Sequence, residues 1–294
     1  MRQTYGKQLP GMRLSDLPGK LIVIEGTDGA GRSTQINLLK PWLEELGHAV
    51  LDTGMTRSRL AGEGIRRAKE GNHLGRVTQS LFYATDFIDR LEKEIVPALR
   101  AGFIVLTDRY IYSLIARAMV RGMDAHWIRS IYGVALKPDA VFYLRIGIDD
   151  LLPRVVFCHG FDYWESGLDL YPSQDFYEGF CNYQAALLEE FDRLAREYSF
   201  EIVDASADAG AVCEQLKRKI LEIVEPAHAE TPGVKMSETL VHSLADRILA
   251  KLTLGGPTSE PERSPAAEAP LTPEPVPVAL APQLQLRRQN RFSV

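Results

Sequence analysis

The sequence predicts an α/β fold in which a five-stranded parallel sheet lies between two layers of helices. Three observations carry this expectation: short apolar runs alternate with longer helical patterns, the runs are apolar on both sides, and each connection is long enough for a helix. Strands covered on both faces need apolar side chains at successive positions, and parallel neighbours need long, right-handed crossovers. The runs are "LIVIE" (Leu21 to Glu25), "HAVLDT" (His48 to Thr53), "FIVLTD" (Phe103 to Asp108), "AVFYLRI" (Ala140 to Ile146) and "FEIVDA" (Phe200 to Ala205). They place one core between about Gly19 and Val224. The helical pattern from Ser33 to Leu46 contains Pro41, which lacks a donor and crowds the carbonyl of Asn37, so a kink or local break is expected there.

A chain of 294 residues exceeds the usual single-domain size, so the core is expected to carry appendages. Residues 1–18 read as an N-terminal extension and 19–225 as the main domain. Residues 226–254 read as a linker with a short amphipathic helix, for which Leu240, Val241, Leu244, Ile248, Leu249 and Leu252 keep the period, Ser237 is the N-cap and Gly255 the stop. That helix either docks on a partner or is marginal and packs on its own domain. Eight of the seventeen prolines fall between Pro257 and Pro282, and 255–294 read as a disordered Pro-rich tail of unknown partner.

Charge and cysteine usage narrow the function classes. The chain has 34 basic and 39 acidic residues for a net charge of −5, which gives no reason to expect a nucleic-acid polymer as partner. Cys158, Cys181 and Cys213 are odd in number and lack C-x-x-C spacing, so neither a disulfide framework nor a zinc site is indicated and a reducing cytoplasm is the expected compartment. No apolar run approaches the roughly 18 residues of a membrane span, and the first twenty residues hold no apolar signal core.

The stretch "GTDGAGRST" follows the first strand and opens a helical pattern, the context that makes a phosphate-binding loop credible. Gly26, Gly29, Ala30, Gly31, Arg32, Ser33 and Thr34 are its phosphate-binding candidates: glycines let successive N–H groups converge on phosphate oxygens, and the helix dipole adds positive potential. Ser33 is a candidate magnesium ligand. Arg32 stands where lysine is usual, and its planar fork is wider than a slim ammonium stem. A glycine-rich turn that binds nothing is the competing explanation.

Six segments in order then resemble the thymidylate kinases: "LIVIEGTDGAGRSTQ", "GEGIRRA" (Gly62 to Ala68), "LFYATDFIDRLEKEIVPAL" (Leu81 to Leu99), "LTDRY" (Leu106 to Tyr110), "KPDAVFYLRI" and "IVDAS" (Ile202 to Ser206). The resemblance implies a P-loop three-layer sandwich with a lid segment, ATP as co-substrate, Mg2+, and pairing as a homodimer through the helices around Thr78 to Leu99. It implies catalytic roles for Asp28, Arg32, Asp108 and Arg109, metal binding by Ser33 and Asp108, and acceptor binding by Arg66, Tyr83, Phe87, Arg109 and Arg117. Asp108 would hold magnesium through water, Arg109 would clamp the acceptor phosphate, and Asp28 would orient the acceptor sugar or a metal-bound water. Tyr83 falls where the family stacks an aromatic ring on the base, although at that helical spacing a ring is often core.

The sequence also departs from the family pattern. Phe87 replaces an arginine expected to contact the base, and the lid reads "CHGFDYWES" with Tyr163 in an arginine's place, leaving Arg154 and His159 nearby. The acceptor loop reads "TGMTRSRLAG", which keeps Arg57 and Arg59 as candidate phosphate contacts but lacks the family's glutamate; Arg117 stands near a tyrosine that commonly excludes ribonucleotides. The arginines of "RSRLAGEGIRRAKEG" also fit a solvated helix start. The expected activity is ATP-dependent phosphorylation of a nucleoside monophosphate, dTMP foremost. The alternatives are a different phosphorylated acceptor, or a non-catalytic nucleotide-binding protein.

Overall fold

The computed structural model describes residues 2–7, 9–70, 74–158 and 160–225. His159, the helix expected after Ser237 and the Pro-rich tail lie outside the described residues. The sheet consists of β1 (Lys20–Glu25), β2 (Val50–Gly54), β3 (Ile104–Asp108), β4 (Ala140–Arg145) and β5 (Glu201–Asp204), all parallel, in the order β2-β3-β1-β4-β5. Around it stand α1 (Arg32–Glu45), α2 (Gly62–Glu70), α3 (Arg76–Arg90), α4 (Val96–Arg100), α5 (Ile111–Val120), α6 (Ala125–Ile131), α7 (Ile148–Cys158), α8 (Phe176–Tyr198) and α9 (Ala209–Val224).

The period-two geometry of a strand explains the three layers. Leu21, Val23, Val105 and Tyr143 join one apolar cluster with residues of α3, α5 and α8, whereas Ile22, Ile24, Leu106, Phe142 and Leu144 join another with residues of α1, α7 and α9. Successive side chains thus feed opposite faces, and each face needs its own helical cover. None of the described helices is long and apolar enough to cross a membrane.

Helix α1 runs unbroken through Pro41, contrary to the expected break. Both Pro41 and Asn37 are exposed, so water can satisfy the Asn37 carbonyl that loses its donor, while Ile36, Leu39 and Leu43 anchor the other face in the core. The segment before β1 docks on the domain. Tyr5 donates its backbone N–H to the Ala135 carbonyl at 3.1 Å, Lys137 donates to the Gln3 carbonyl at 2.7 Å, and Met12 and Leu17 are buried.

Helix α3 continues through a π turn (Leu91–Ile95) into α4, so the long helix read from Leu81 to Leu99 is one helical run with a widened turn ahead of Pro97. Asp86 of α3 organises the loop after β2. Its carboxylate accepts from Thr56 N–H at 3.0 Å, Ser58 N–H at 2.9 Å and Arg90 Nε at 3.0 Å, and Asp86 and Arg90 are both fully buried. Removing one partner of such a pair strands the other charge. Asp86→Ala is therefore expected to cost about 3–5 kcal/mol of stability in urea denaturation; a loss under about 1 kcal/mol, the scale of an exposed pair, would contradict this account.

Candidate active site

The site forms at the carboxyl ends of β1 and β3, where open α/β sheets leave a crevice. Register brings these ends together: Ile24 lies opposite Asp108, and Gly54 of β2 lies opposite Asp108 from the other side. After β1 the chain turns sharply. Gly29 has φ +79°, and a Cβ there would come within 2.8 Å of Val155 and 3.0 Å of Leu151, so only glycine fits between the loop and α7.

Helix α1 starts at a bare end. Asp175 and Asp208 cap α8 and α9 with their own carboxylates, whereas Gly31 precedes α1 in the left-handed conformation with no side-chain cap. Its first N–H groups therefore face outward as anion donors, beside the exposed Ser33 and Thr34. A cleft of about 590 Å³ runs from residues 29–35 to Arg154 and Phe157 of α7 and to Ala207 and Asp208 before α9. Arg154 donates to the Ser206 carbonyl at 3.3 Å across this cleft.

Arg32 folds back under the loop. Its Nε donates to Asp108 at 2.8 Å, and its Nη1 donates to the carbonyls of Gly26, at 2.8 Å, and Thr27. A lysine could not serve these three acceptors with the same fixed fork. Asp108 also accepts from Ser33 Oγ at 2.9 Å, so the hydroxyl and carboxylate expected to serve one metal converge. Burial would raise the Asp108 pKa, but the charges of Arg32 and Arg109 outweigh it and hold the carboxyl below its ordinary value.

The second half of the site is a buried ionic knot in which Asp28 accepts from both Arg109 and Arg117. Arg109 adopts φ +68°, a conformation unusual outside glycine, and is held there by its N–H to the Ile24 carbonyl at 3.0 Å and by Thr107 Oγ1, which donates to the Arg109 carbonyl at 2.7 Å. Next to it, Glu25 accepts from the N–H groups of Tyr110 and Ser113 and from Ser113 Oγ. Burial pushes the Glu25 carboxyl above its ordinary pKa. Burial and the neighbouring Arg32 lower that of Arg109, whose Nε is buried without a partner among the described residues. Arg117 is shifted up, because Asp28 outweighs burial. Three arginines and two aspartates form this centre, and Lys69, lowered by burial and by Arg117, adds another cation.

Other expected residues are placed differently. Phe87 does not reach the site. It is fully buried, with its ring edge-on to Tyr110 and Tyr132, because α3 turns that position into the core. Arg66 stands exposed on α2 and bonds Glu63 at 2.8 Å, as a solvated helix face would, and Arg57 pairs with Asp52 at 2.7 Å. Tyr83 lines a narrow cavity with Gln79, Leu114, Arg117, Arg121 and Trp164. Tyr163 of the expected lid packs edge-on against Trp164, whose Nε1 donates to the Lys69 carbonyl at 3.1 Å.

Arg121, Lys69 and Glu25 were missed from the sequence. Arg121 lies one turn beyond Arg117 and donates to both oxygens of Asp169, to Tyr183 Oη and to the Trp164 carbonyl.

A bare helix end facing a cleft, with a surplus of buried cations across the adjoining strand ends, is a surface for phosphate groups, and the class it defines is the phosphate-loop nucleotide kinases. The family model described as Thymidylate kinase matches residues 24–216. The chain belongs to the thymidylate kinase family, whose members are nucleoside-monophosphate kinases. It is 36% identical over 209 residues to the "Probable thymidylate kinase 2" of Saccharolobus solfataricus, covering 70% of this chain and 98% of that one. A "Probable thymidylate kinase" of Thermococcus kodakarensis is 37% identical over 143 residues, 46% of this chain and 70% of that one. The "Thymidylate kinase" of Brachyspira hyodysenteriae is 26% identical over 210 residues, 70% of this chain and 95% of that one.

The ionic knot has a pH consequence. The Asp28 pKa is depressed in the fold because Arg109 and Arg117 outweigh burial. Its contribution to stability is therefore present above the unfolded value of about 3.9 and is lost as pH falls below it. Asp28→Asn is expected to be less stable than the parent near pH 7, with the gap narrowing below about pH 4 in urea denaturation series. A gap that widens on acidification would show that Asp28 is not held by these arginines.

Proposed function

We propose that the protein transfers the γ-phosphoryl group of ATP to a nucleoside monophosphate, dTMP first, yielding dTDP and ADP. The observation that carries this reading is the division of charge at the strand ends, with the bare α1 terminus and Arg32 on one side and the Asp28, Arg109 and Arg117 knot on the other. Donor and acceptor phosphates repel each other in water. A site that presents donors to both from a rigid sheet edge lowers that repulsion and aligns them, which is most of what phosphoryl transfer requires.

In this reading the donor base and sugar occupy the cleft between Arg154 and Asp208, and its phosphates lie on residues 29–34. Arg32 leaves the loop carbonyls and turns its fork to the transferred group. Arg109, whose Nε has no partner among the described residues, binds the acceptor phosphate, and Asp28 holds the acceptor sugar while keeping Arg109 and Arg117 in place. The acceptor phosphate oxygen attacks the γ-phosphorus in line, and the bond to the β-phosphate oxygen breaks.

Ser33 and Asp108 fit a magnesium ion, since two hard oxygen donors converge there at 2.9 Å. An ion completed largely by water and substrate phosphates is the usual arrangement for Mg2+. When bound, it would neutralise charge on the phosphates. The exposed Val77 and Leu81 on α3 support pairing of two copies through that helix; a sedimentation mass of one chain would count against it.

A coupled assay with ATP, Mg2+ and dTMP, dUMP, CMP, UMP or AMP decides the activity, with dTMP expected as the preferred acceptor. Nucleotide binding without turnover of any of these would sink the kinase reading. Arg32→Lys is expected to lower kcat by about tenfold or more, because each lost charge-assisted hydrogen bond is worth about 1.5–3 kcal/mol. A rise in rate would mean that the arginine restrains the enzyme.

A further inference from the structure

The candidate active site occupies the carboxyl ends of the strands. At the amino ends of β1 and β4 lies another cavity, of about 460 Å³, lined by Arg2, Lys20, Lys137 and Asp139 together with the apolar Leu14 and Pro138. Lys20 and Glu25 are the two ends of β1, so roughly 16 Å of strand separates this cavity from the turn that opens α1.

Three cationic side chains line the cavity with a single carboxylate, Asp139. That carboxylate is already engaged, since Oδ2 accepts from the Leu21 N–H at 2.7 Å and from Arg2 Nη2 at 2.9 Å. Lys20 Nζ stands 3.9 Å from Oδ1, beyond hydrogen-bonding distance. Lys137 donates to Gln3 Oε1 at 2.9 Å and lies 5.8 Å from the centroid of the Tyr5 ring, and neither neutral partner cancels its charge. The Arg2 side chain is more than nine-tenths buried, and its Nη1 is buried without a partner among the described residues. Ser15, also on the wall, donates its hydroxyl to Asp16 at 2.8 Å. The lining therefore carries positive charge that its own carboxylate does not balance.

We propose that this cavity binds a small organic phosphate, with the anionic group held by Lys20, Lys137 and Arg2 and the organic body against Leu14 and Pro138. Lysine ammonium groups and an arginine fork are strong donors to phosphate oxygens, and the anion gives the Arg2 fork the further acceptor that it lacks. The volume lies in the range of small-molecule sites, about 300–1,000 Å³, and leaves room for more than a bare ion. The three cations come from the N-terminal segment, the start of β1 and the turn before β4, so a bound anion ties these segments together. The site is independent of the proposed phosphoryl transfer, because it shares no residue with the cleft at the other ends of the strands.

The test is an amide-resolved NMR titration of the full chain with phenyl phosphate, with inorganic phosphate and phenol as comparisons. The amides of Gly19, Lys20, Leu21 and Asp139 are expected to shift along one saturation curve, followed apart from those of residues 31–34, where a phosphate is also expected to act. Phenol is expected to leave the four amides unmoved, and inorganic phosphate to bind them more weakly than phenyl phosphate. The double variant Lys20→Ala, Lys137→Ala is expected to raise the Kd read at these amides about tenfold or more, whereas Lys20→Arg, Lys137→Arg keeps it within about threefold. Should the alanine pair fail to fold, Lys20→Gln alone carries the same comparison, with a rise of about threefold expected. No saturable shift at the four amides with millimolar phenyl phosphate, an equal response to phenol, equal affinity for inorganic phosphate, or an unchanged Kd on loss of the lysine charge overturns the proposal.

Discussion

The parallel pairing of β1 with β3 is the constraint from which the site follows. With Ile24 opposite Asp108, the residues that leave the two strands, Asp28 and Arg32 on one and Arg109 on the other, must meet within a few ångströms. A one-residue slip would turn each strand's side chains to the opposite face and exchange the two apolar clusters. Because both faces are sealed by helices, that slip would expose or clash with the whole core, and the position of the charged groups inherits the rigidity of the apolar packing.

That rigidity is needed because the site holds charges that would otherwise separate. Arg32, Arg109 and Arg117 crowd together around Asp28 and Asp108, with the buried Glu25 next to them, and each arginine is at least four-fifths buried. Like charges at this spacing repel strongly where water is excluded. The surrounding chain answers with fixed partners: the carbonyls of Gly26 and Thr27 accept from Arg32, and the Thr107 hydroxyl donates to the Arg109 carbonyl and locks that residue in its left-handed conformation. An anion arriving at the knot gains from the unbalanced positive charge.

The fold and the glycine-rich turn that opens α1 were legible because they depend on short-range rules. Two-sided apolar runs, a glycine turn after a strand and a serine at the helix start encode their geometry locally, and the five strands lie within two or three residues of where the runs place them. The acceptor side was read less well. Phe87 and Arg66 belong to helices whose rotation is set by packing against partners far away in the chain, and one faces the core while the other faces solvent. Pro41 followed the same logic in reverse: tertiary anchoring of Ile36, Leu39 and Leu43 held a helix that local chemistry would have interrupted.

By itself the sequence determined the alternation of strands and helices, the glycine-rich turn before α1, and the presence of arginines where a lysine or a tyrosine is usual. Only the tertiary structure decided what those arginines do. Arg32 shares Asp108 with Ser33, Arg109 and Arg117 share Asp28, and Arg121 is committed to Asp169 some fifty residues later. A charge's role is set by its partners and by the water it loses, and both come from segments distant in the chain.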